Sequence, residues 1–470
     1  MNLNMNSALK SNTKWWILII TSLSLFLTCI DITAVNLILA PISSKLHIPV
    51  SQTQWIINAY LLIYAAVIIA GGRLGDILGE KKILIIGFIG FLIGSCIAAS
   101  AYTFYVIIIG RIIQGISAAL ISPNALALVY RIFPQGKKGM ITGVISSIIG
   151  VSIVIGPLLG GLLTNLYSWR LVFLINVPIG LAVICLTMIF ISPPKKQKIS
   201  IKQLDLFGVF FLGMFLFCFV AIIDLINEIH QEYYLFAILI AIAVVSFILF
   251  IYVEKHAENP LMNITLLENK VITICCLLRF LFGMPTTILT FIFALYLQQG
   301  LGYSVLQAGM MFLPLTCAMM ILAPYVGKLA DRIDHIIPLN IGITLCIVSY
   351  LGFALTSSNT PSCSLMLLFA FIAGLGLCFA RTGLVTAIMK ATPDAHLGLV
   401  NSVFNMMNLL GGSIGIAIAG TILSIFSSKG AKTSLIISFP LVMYFCIGIL
   451  ILILALIHFG LRVAKEAPEI

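Results

Sequence analysis

Apolar residues run along this chain in long unbroken blocks. Set apart by charged or turn-forming residues, the blocks fall at about 15–40, 53–71, 82–101, 104–129, 139–164, 170–191, 206–226, 233–253, 270–298, 304–326, 336–356, 364–389, 399–426 and 435–461. Each is close to the roughly 20 residues that a helix needs to cross a hydrocarbon layer. A backbone in lipid must satisfy its own hydrogen bonds, and the two-residue alternation of a membrane β-barrel is missing. The pattern therefore predicts an all-α integral membrane protein with fourteen spans.

Composition agrees with this and closes other routes. Of 470 residues, 61% are hydrophobic and 9% charged, with mean hydropathy +1.18, whereas a soluble chain spends about a quarter of its residues on charge. Fourteen spans leave only short loops and two tails, so no separate soluble domain is expected. The net charge of +11 would point to nucleic acid in a soluble protein, but here it sorts by side. With a cytoplasmic amino terminus, nineteen Lys and Arg fall in inner segments and four (Lys45, Arg170, Lys429 and Lys432) in outer ones. Cytoplasmic loops retain positive charge, so both termini are expected inside a plasma (inner) membrane, and no nucleic-acid partner is expected. The first block follows Lys10 and Lys14 as a signal peptide would. It is too long for one and lacks a small-residue cleavage pattern, so it should stay as a span. Ten of the eleven cysteines lie inside apolar blocks, where they act as small hydrophobes. No disulfide framework, metal spacing or cofactor is expected.

The chain repeats itself. Gly72-Arg-Leu-Gly-Asp76 after the second block recurs as Gly327-Lys-Leu-Ala-Asp331 after the tenth, and Gly156 and Gly160 recur at the same offset as Gly411 and Gly415. Two six-helix bundles follow, 15–191 and 270–461, with two inserted helices between them in 206–253. Parallel six-span halves with a substrate site at their interface are the plan of one large class of secondary transporters.

At this point the residues carry a family signature. The pieces are Asp31-Ile-Thr-Ala-Val-Asn36, the loop Gly72 to Lys82, Arg111-Ile-Ile-Gln-Gly115, Gly156-Pro-Leu-Leu-Gly-Gly161, Trp169 to Gly180 and Tyr296-Leu-Gln-Gln-Gly-Leu-Gly302. In this order and spacing the chain resembles the fourteen-span drug:proton antiporters of the major facilitator superfamily. Glu80 stands where that family usually has a basic residue, and Asp334 where a glycine is expected. The resemblance implies a proton-coupled exporter of amphipathic drugs or small organic compounds working by alternating access. The alternative is a dedicated exporter of an endogenous anionic metabolite such as a siderophore. Small-molecule substrate, protons and lipid bilayer are the expected partners, with an export partner in the outer envelope left open. An enzyme is not expected: the scattered Asp205, Asp224, Glu228 and Glu232 lack metal-binding spacing. Rings of charge in a symmetric pore, as in a channel, are absent too. No Gly-x-x-x-x-Gly-Lys-Ser/Thr loop occurs, so transport would draw on an ion gradient.

Charges inside spans cost about 2.5 to 3.5 kcal/mol each on insertion scales and call for explanation. Four stand there: Asp31, Arg111, Arg279 and Arg381. Asp31 lies roughly 4 to 5 Å and Arg111 roughly 7 to 8 Å outward of their span centres, counting 1.5 Å per residue. They share a depth and are expected to meet. Burial favours a neutral acid and a neighbouring guanidinium favours the carboxylate, so changing access to Arg111 would switch proton affinity; a fixed ion pair between two helices is the alternative.

Arg279 and Arg381 have no intramembrane carboxylate of their own. Either they face a water-filled cavity and attract a carboxylate, or they snorkel and bond carbonyls. Asn401, Asn405 and Asn408 share one helix face and either line a cavity or bond a neighbour. Asn36, Tyr60, Gln114 and Tyr296 complete the candidate lining, alongside Trp55, Asn58 and Gln298. In the resembled family the segment around Gly156, Pro157 and Gly160 is associated with antiport, as a tight seam against proton leak. The resemblance implies that Arg73 and Asp76, with Asp331 in the second copy, form an inner latch; solvated loop charges that set topology are the alternative.

Overall fold

The computed structural model describes residues 11–132, 138–191, 205–224, 233–256, 269–332, 336–357, 361–392, 397–426 and 431–458, which are helical apart from short turns. The first group comprises α1 (Ser11–Leu46), α2 (Gln54–Leu78), α3 (Glu80–Ala99), α4 (Phe104–Ile132), α5 (Lys138–Leu166), α6 (Arg170–Leu174) and α7 (Asn176–Phe190). Two further helices follow, α8 (Leu206–Asp224) and α9 (Tyr233–His256). The last group is α10 (Lys270–Leu295), α11 (Val305–Met311), α12 (Leu313–Arg332), α13 (Ile336–Thr356), α14 (Cys363–Ala391), α15 (Leu397–Ile425) and α16 (Ala431–Leu456).

Among the described residues, twelve helical stretches are long and apolar enough to cross a membrane. The two other blocks of the sequence pattern correspond to α5 and α8. In α8 the uninterrupted apolar helix Phe207–Ile223 is short, and parts of α5 carry side chains outside the described set.

Two expected spans are each broken once. The block at 170–191 splits between α6 and α7 at Ile175, shortly before Pro178, and that at 304–326 splits between α11 and α12 at Phe312, before Pro314. Proline lacks an amide donor and crowds the preceding turn, so the helix restarts around it. Many helices are apolar on both faces, as α3 illustrates. Phe88 and Phe91 are buried against neighbours, while Ile86, Ile89 and Ile93 point outward, as a helix bathed in lipid should.

The internal repeat has a structural counterpart. Helix α5 lies against α1 so closely that a Cβ on Gly156 would strike the Thr33 hydroxyl, and one on Gly160 would sit 2.9 Å from the Ala34 carbonyl oxygen. In the second group α15 lies against α10 as closely: a Cβ on Gly411 would strike the Phe280 carbonyl oxygen, and one on Gly415 would sit 2.9 Å from Met284 Cα. Helices without a hydrophobic drive to associate gain from such close backbone approach at small residues.

Between the groups, Gln298 donates 3.0 Å to the Leu37 carbonyl, and Ser413 donates 2.9 Å to Asn58 Oδ1. These contacts gather at the end where α1 finishes and α2 begins. Helix α8 packs beside this seam: Thr421 of α15 donates 2.9 Å to its Ile223 carbonyl, and its Phe217 ring meets Trp55 of α2. Helix α9 packs on α8, with Phe247 and Phe215 rings 5.0 Å apart, and is mostly exposed.

The two glycine contacts differ in what they would strike. Gly411→Ala meets a backbone oxygen and Gly156→Ala a side-chain hydroxyl that can rotate. Both overpack, at about 1 to 3 kcal/mol, with Gly411→Ala at the upper end. Thermal unfolding in detergent should therefore order the proteins parent, Gly156→Ala, Gly411→Ala, and the reverse order of the two variants would contradict this packing.

Candidate functional site

The first group of helices converges on one buried polar cluster. Helix α1 supplies Asp31, and α4 supplies Arg111 and Gln114, three residues apart and hence on one face. Helix α3 supplies Ser95, α7 supplies Asn176, and α2 supplies Tyr60 and the Ile56 carbonyl. Arg111 Nη1 is 2.5 Å from Asp31 Oδ2, and both side chains are fully enclosed. Asp31 Oδ1 accepts from Asn176 Nδ2 at 2.9 Å and from Gln114 Nε2 at 3.2 Å. Ser95 Oγ accepts from the same two amides, at 3.2 and 2.9 Å. Arg111 is itself oriented by Gln114 Oε1 (2.9 Å) and by the Ile56 carbonyl (2.9 Å, from Nε), with the Tyr60 ring 4.4 Å from its guanidinium carbon.

Chemically this is a buried carboxyl group that accepts from one guanidinium and two amides. Removing one partner of such a buried pair strands a charge, at a cost of about 3 to 5 kcal/mol. The cluster is not saturated. Arg111 Nη2, Tyr60 Oη and Asn176 Oδ1 are buried without a hydrogen-bond partner among the described residues.

The sequence placed Asp31 and Arg111 at one depth, and the structure brings them together; Gln114 and Tyr60, candidates for a cavity lining, stand in the same cluster. Asn176 and Ser95 were not singled out. Asn176 lay inside a motif read as a family signature; the legible signal was an amide two residues before a proline in an otherwise apolar block. The remaining candidates lie elsewhere. Asn36 is buried, donates 3.1 Å to the Ile32 carbonyl and leaves its Oδ1 without a partner. Tyr296 is fully buried in the π-helical turn Tyr296–Gly300 that ends α10, stacked on Phe439 at 4.2 Å. Asn405 and Asn408 are half-buried on α15, and Arg73 is half-buried near the end of α2. The side chains of Asp76, Pro157, Asp331 and Asn401 lie outside the described residues.

Arg279 is buried with its guanidinium 5.0 Å from the Phe404 ring of α15. Arg381 of α14 is half-buried and within electrostatic reach of both Arg279 and Cys29 of α1. Away from the seam contacts, toward the amino-terminal end of α1, an apolar groove of about 410 Å³ opens between α1 and α5. Trp15, Leu18, Leu23, Phe26, Val144 and Ile148 line it.

A family profile described as Major Facilitator Superfamily matches residues 21–416, and matches a second time over 275–469. The chain belongs to the major facilitator superfamily. Its relatives include the tetracenomycin C resistance and export protein of Streptomyces glaucescens, 29% identical over 428 residues, 90% of this chain and 79% of that protein. The multidrug resistance protein Stp of Mycobacterium tuberculosis is 29% identical over 427 residues, 89% of this chain and 77% of its own. The riboflavin transporter RibZ of Clostridioides difficile is 26% identical over 404 residues, 86% and 87% of the two chains. This facilitator is therefore an all-helical, multi-pass membrane transporter of small molecules, not an enzyme. It has the superfamily's fold and relatives named for drug resistance.

The placement of Asn176 carries a prediction. A hydrogen bond to a charged group contributes about 1.5 to 3 kcal/mol, so Asn176→Leu should lower the melting temperature in detergent at neutral pH. Asn176→Asp sets a second carboxyl against Asp31. Its deficit relative to the parent should be larger in mildly alkaline than in mildly acidic buffer, because protonation removes the repulsion. A deficit independent of pH would mean that residue 176 does not face the Asp31 carboxylate.

Proposed function

We propose that this facilitator is a proton-coupled exporter of amphipathic organic compounds, working by alternating access in the plasma membrane. In this reading it has fourteen spans, α5 and α8 completing the twelve, and both termini are cytoplasmic. The observation that carries the proposal is the Asp31 cluster: an acid deep in the bundle whose charge is stabilised by one arginine and two amides. Burial alone favours the protonated acid, and Arg111 with its amide partners favours the carboxylate. A rearrangement that draws Arg111 away would therefore load a proton on Asp31, and its return would expel it. Arg111 Nη2 and Tyr60 Oη, without partners in this arrangement, are groups whose hydrogen bonds would be completed in another.

With cytoplasmic termini, the end of the seam closed by Gln298 and Ser413 is the outer one, so this arrangement faces inward. The apolar groove beside Trp15 then opens in the inner leaflet's half, where an amphipathic substrate would be concentrated. The close packing of Gly156 and Gly160 on α1, with Pro157, makes a dry seam that resists proton leak as the halves move. Arg73 and Asp76, with Asp331 in the second repeat, serve as the inner latch. Substrate contact falls to Arg279, Arg381, Asn401, Asn405 and Asn408, with Asn36, Tyr60, Gln114 and Tyr296 around them.

The test is substrate-induced proton efflux from acid-loaded inverted vesicles, using ethidium and a panel of uncharged and anionic dyes. The parent should release protons on adding at least one dye, and Asp31→Asn should fall to the level of vesicles lacking the protein while still binding that dye. Full gradient-driven transport by Asp31→Asn would remove the acid from the coupling step.

A further inference from the structure

Two arginines in the carboxyl-terminal half stand apart from everything used so far. Arg279 is 5% exposed, and its Nε finds no hydrogen-bond partner among the described residues. Its one recorded neighbour of opposite character is the face of the Phe404 ring. Arg381, half-buried on α14, is within electrostatic reach of Arg279 and of Cys29 on α1. Among the described residues neither makes an ion pair; the recorded salt bridge is Arg111 with Asp31. That carboxylate is fully used by Arg111, Gln114 and Asn176, so it cannot neutralise the pair.

Two like charges with no counter-ion inside a bilayer are unfavourable, and the residues that bear them are expected to bind something negative. Snorkelling is a poor account of Arg279, whose side chain is enclosed by protein. We propose that Arg279 and Arg381 form a recognition site for the carboxylate of an organic anion at the seam between the halves, with the Phe404 ring beside it. The guanidinium fork matches a carboxylate through two parallel hydrogen bonds, and an aromatic face next to it suits a flat, aromatic acid. This inference rests on the export reading and narrows its substrate class.

Binding without any gradient separates the two. The full-length protein in lipid nanodiscs is titrated calorimetrically with naphthoate and with naphthamide, which share a ring and differ in charge, against empty nanodiscs as blank. The parent should bind naphthoate at least about tenfold more tightly than naphthamide, the size expected for a charge-assisted hydrogen bond. Arg279→Gln and Arg381→Gln should each abolish that preference, and Arg381→Lys should restore it only in part. Equal affinity for acid and amide, no binding of the acid, or a preference that survives both glutamine variants would overturn the proposal. Proton efflux driven by ethidium would then still stand as evidence for export. Conversely, acid-selective binding by a protein that exchanges no protons would leave this site intact and sink the coupling.

Discussion

An ionised carboxylate cannot rest in the middle of a lipid-embedded bundle unless the protein supplies what water would. At Asp31 the supply is one guanidinium and two amides, brought by two helices, α4 and α7, with a serine on α3 accepting from both amides. That requirement constrains the whole amino-terminal group: α1, α3, α4 and α7 must meet at one depth, and α2 must present the Ile56 carbonyl and the Tyr60 ring to the arginine. A buried ion pair of this kind adds little net stability compared with apolar packing. In the proposed reading the pair is a device with two states rather than a clamp.

The repeat gives the device something to act on. Each group has a helix drawn against its first helix by paired glycines, and the two groups meet along helices that contribute few polar contacts. Hydrogen bonds such as Gln298 to Leu37 and Ser413 to Asn58 join the groups at one end. The charge distribution is uneven across that seam. The amino-terminal group holds a matched acid and base, whereas the carboxyl-terminal group holds two arginines without a partner acid among the described residues.

Much of this was legible in the sequence. The apolar blocks located the helices because length and hydropathy are set by the bilayer. The offset between Gly156 and Gly411 showed the repeat because close helix packing tolerates no side chain there. Asp31 and Arg111 could be paired because charges in spans are rare and theirs lay at one depth. What the sequence hid was contact across helices. Asn176 and Ser95 are ordinary polar residues whose partners lie 145 and 19 positions away, and no periodicity reports that. The breaks at Ile175 and Phe312 were signalled by Pro178 and Pro314, yet hydropathy ran straight through them. Tyr296, a candidate for the lining, is stacked on Phe439, a contact that hydropathy does not report.

The protonation state of the Asp31 carboxyl tests the account most directly. Infrared difference spectra of the protein in bilayers, taken as pH is stepped down, should show a protonated-carboxyl band that vanishes in Asp31→Asn and emerges at higher pH when Arg111 is replaced by Gln. A carboxyl that stays ionised in both proteins over the whole range in which transport runs would contradict a switch built on that acid.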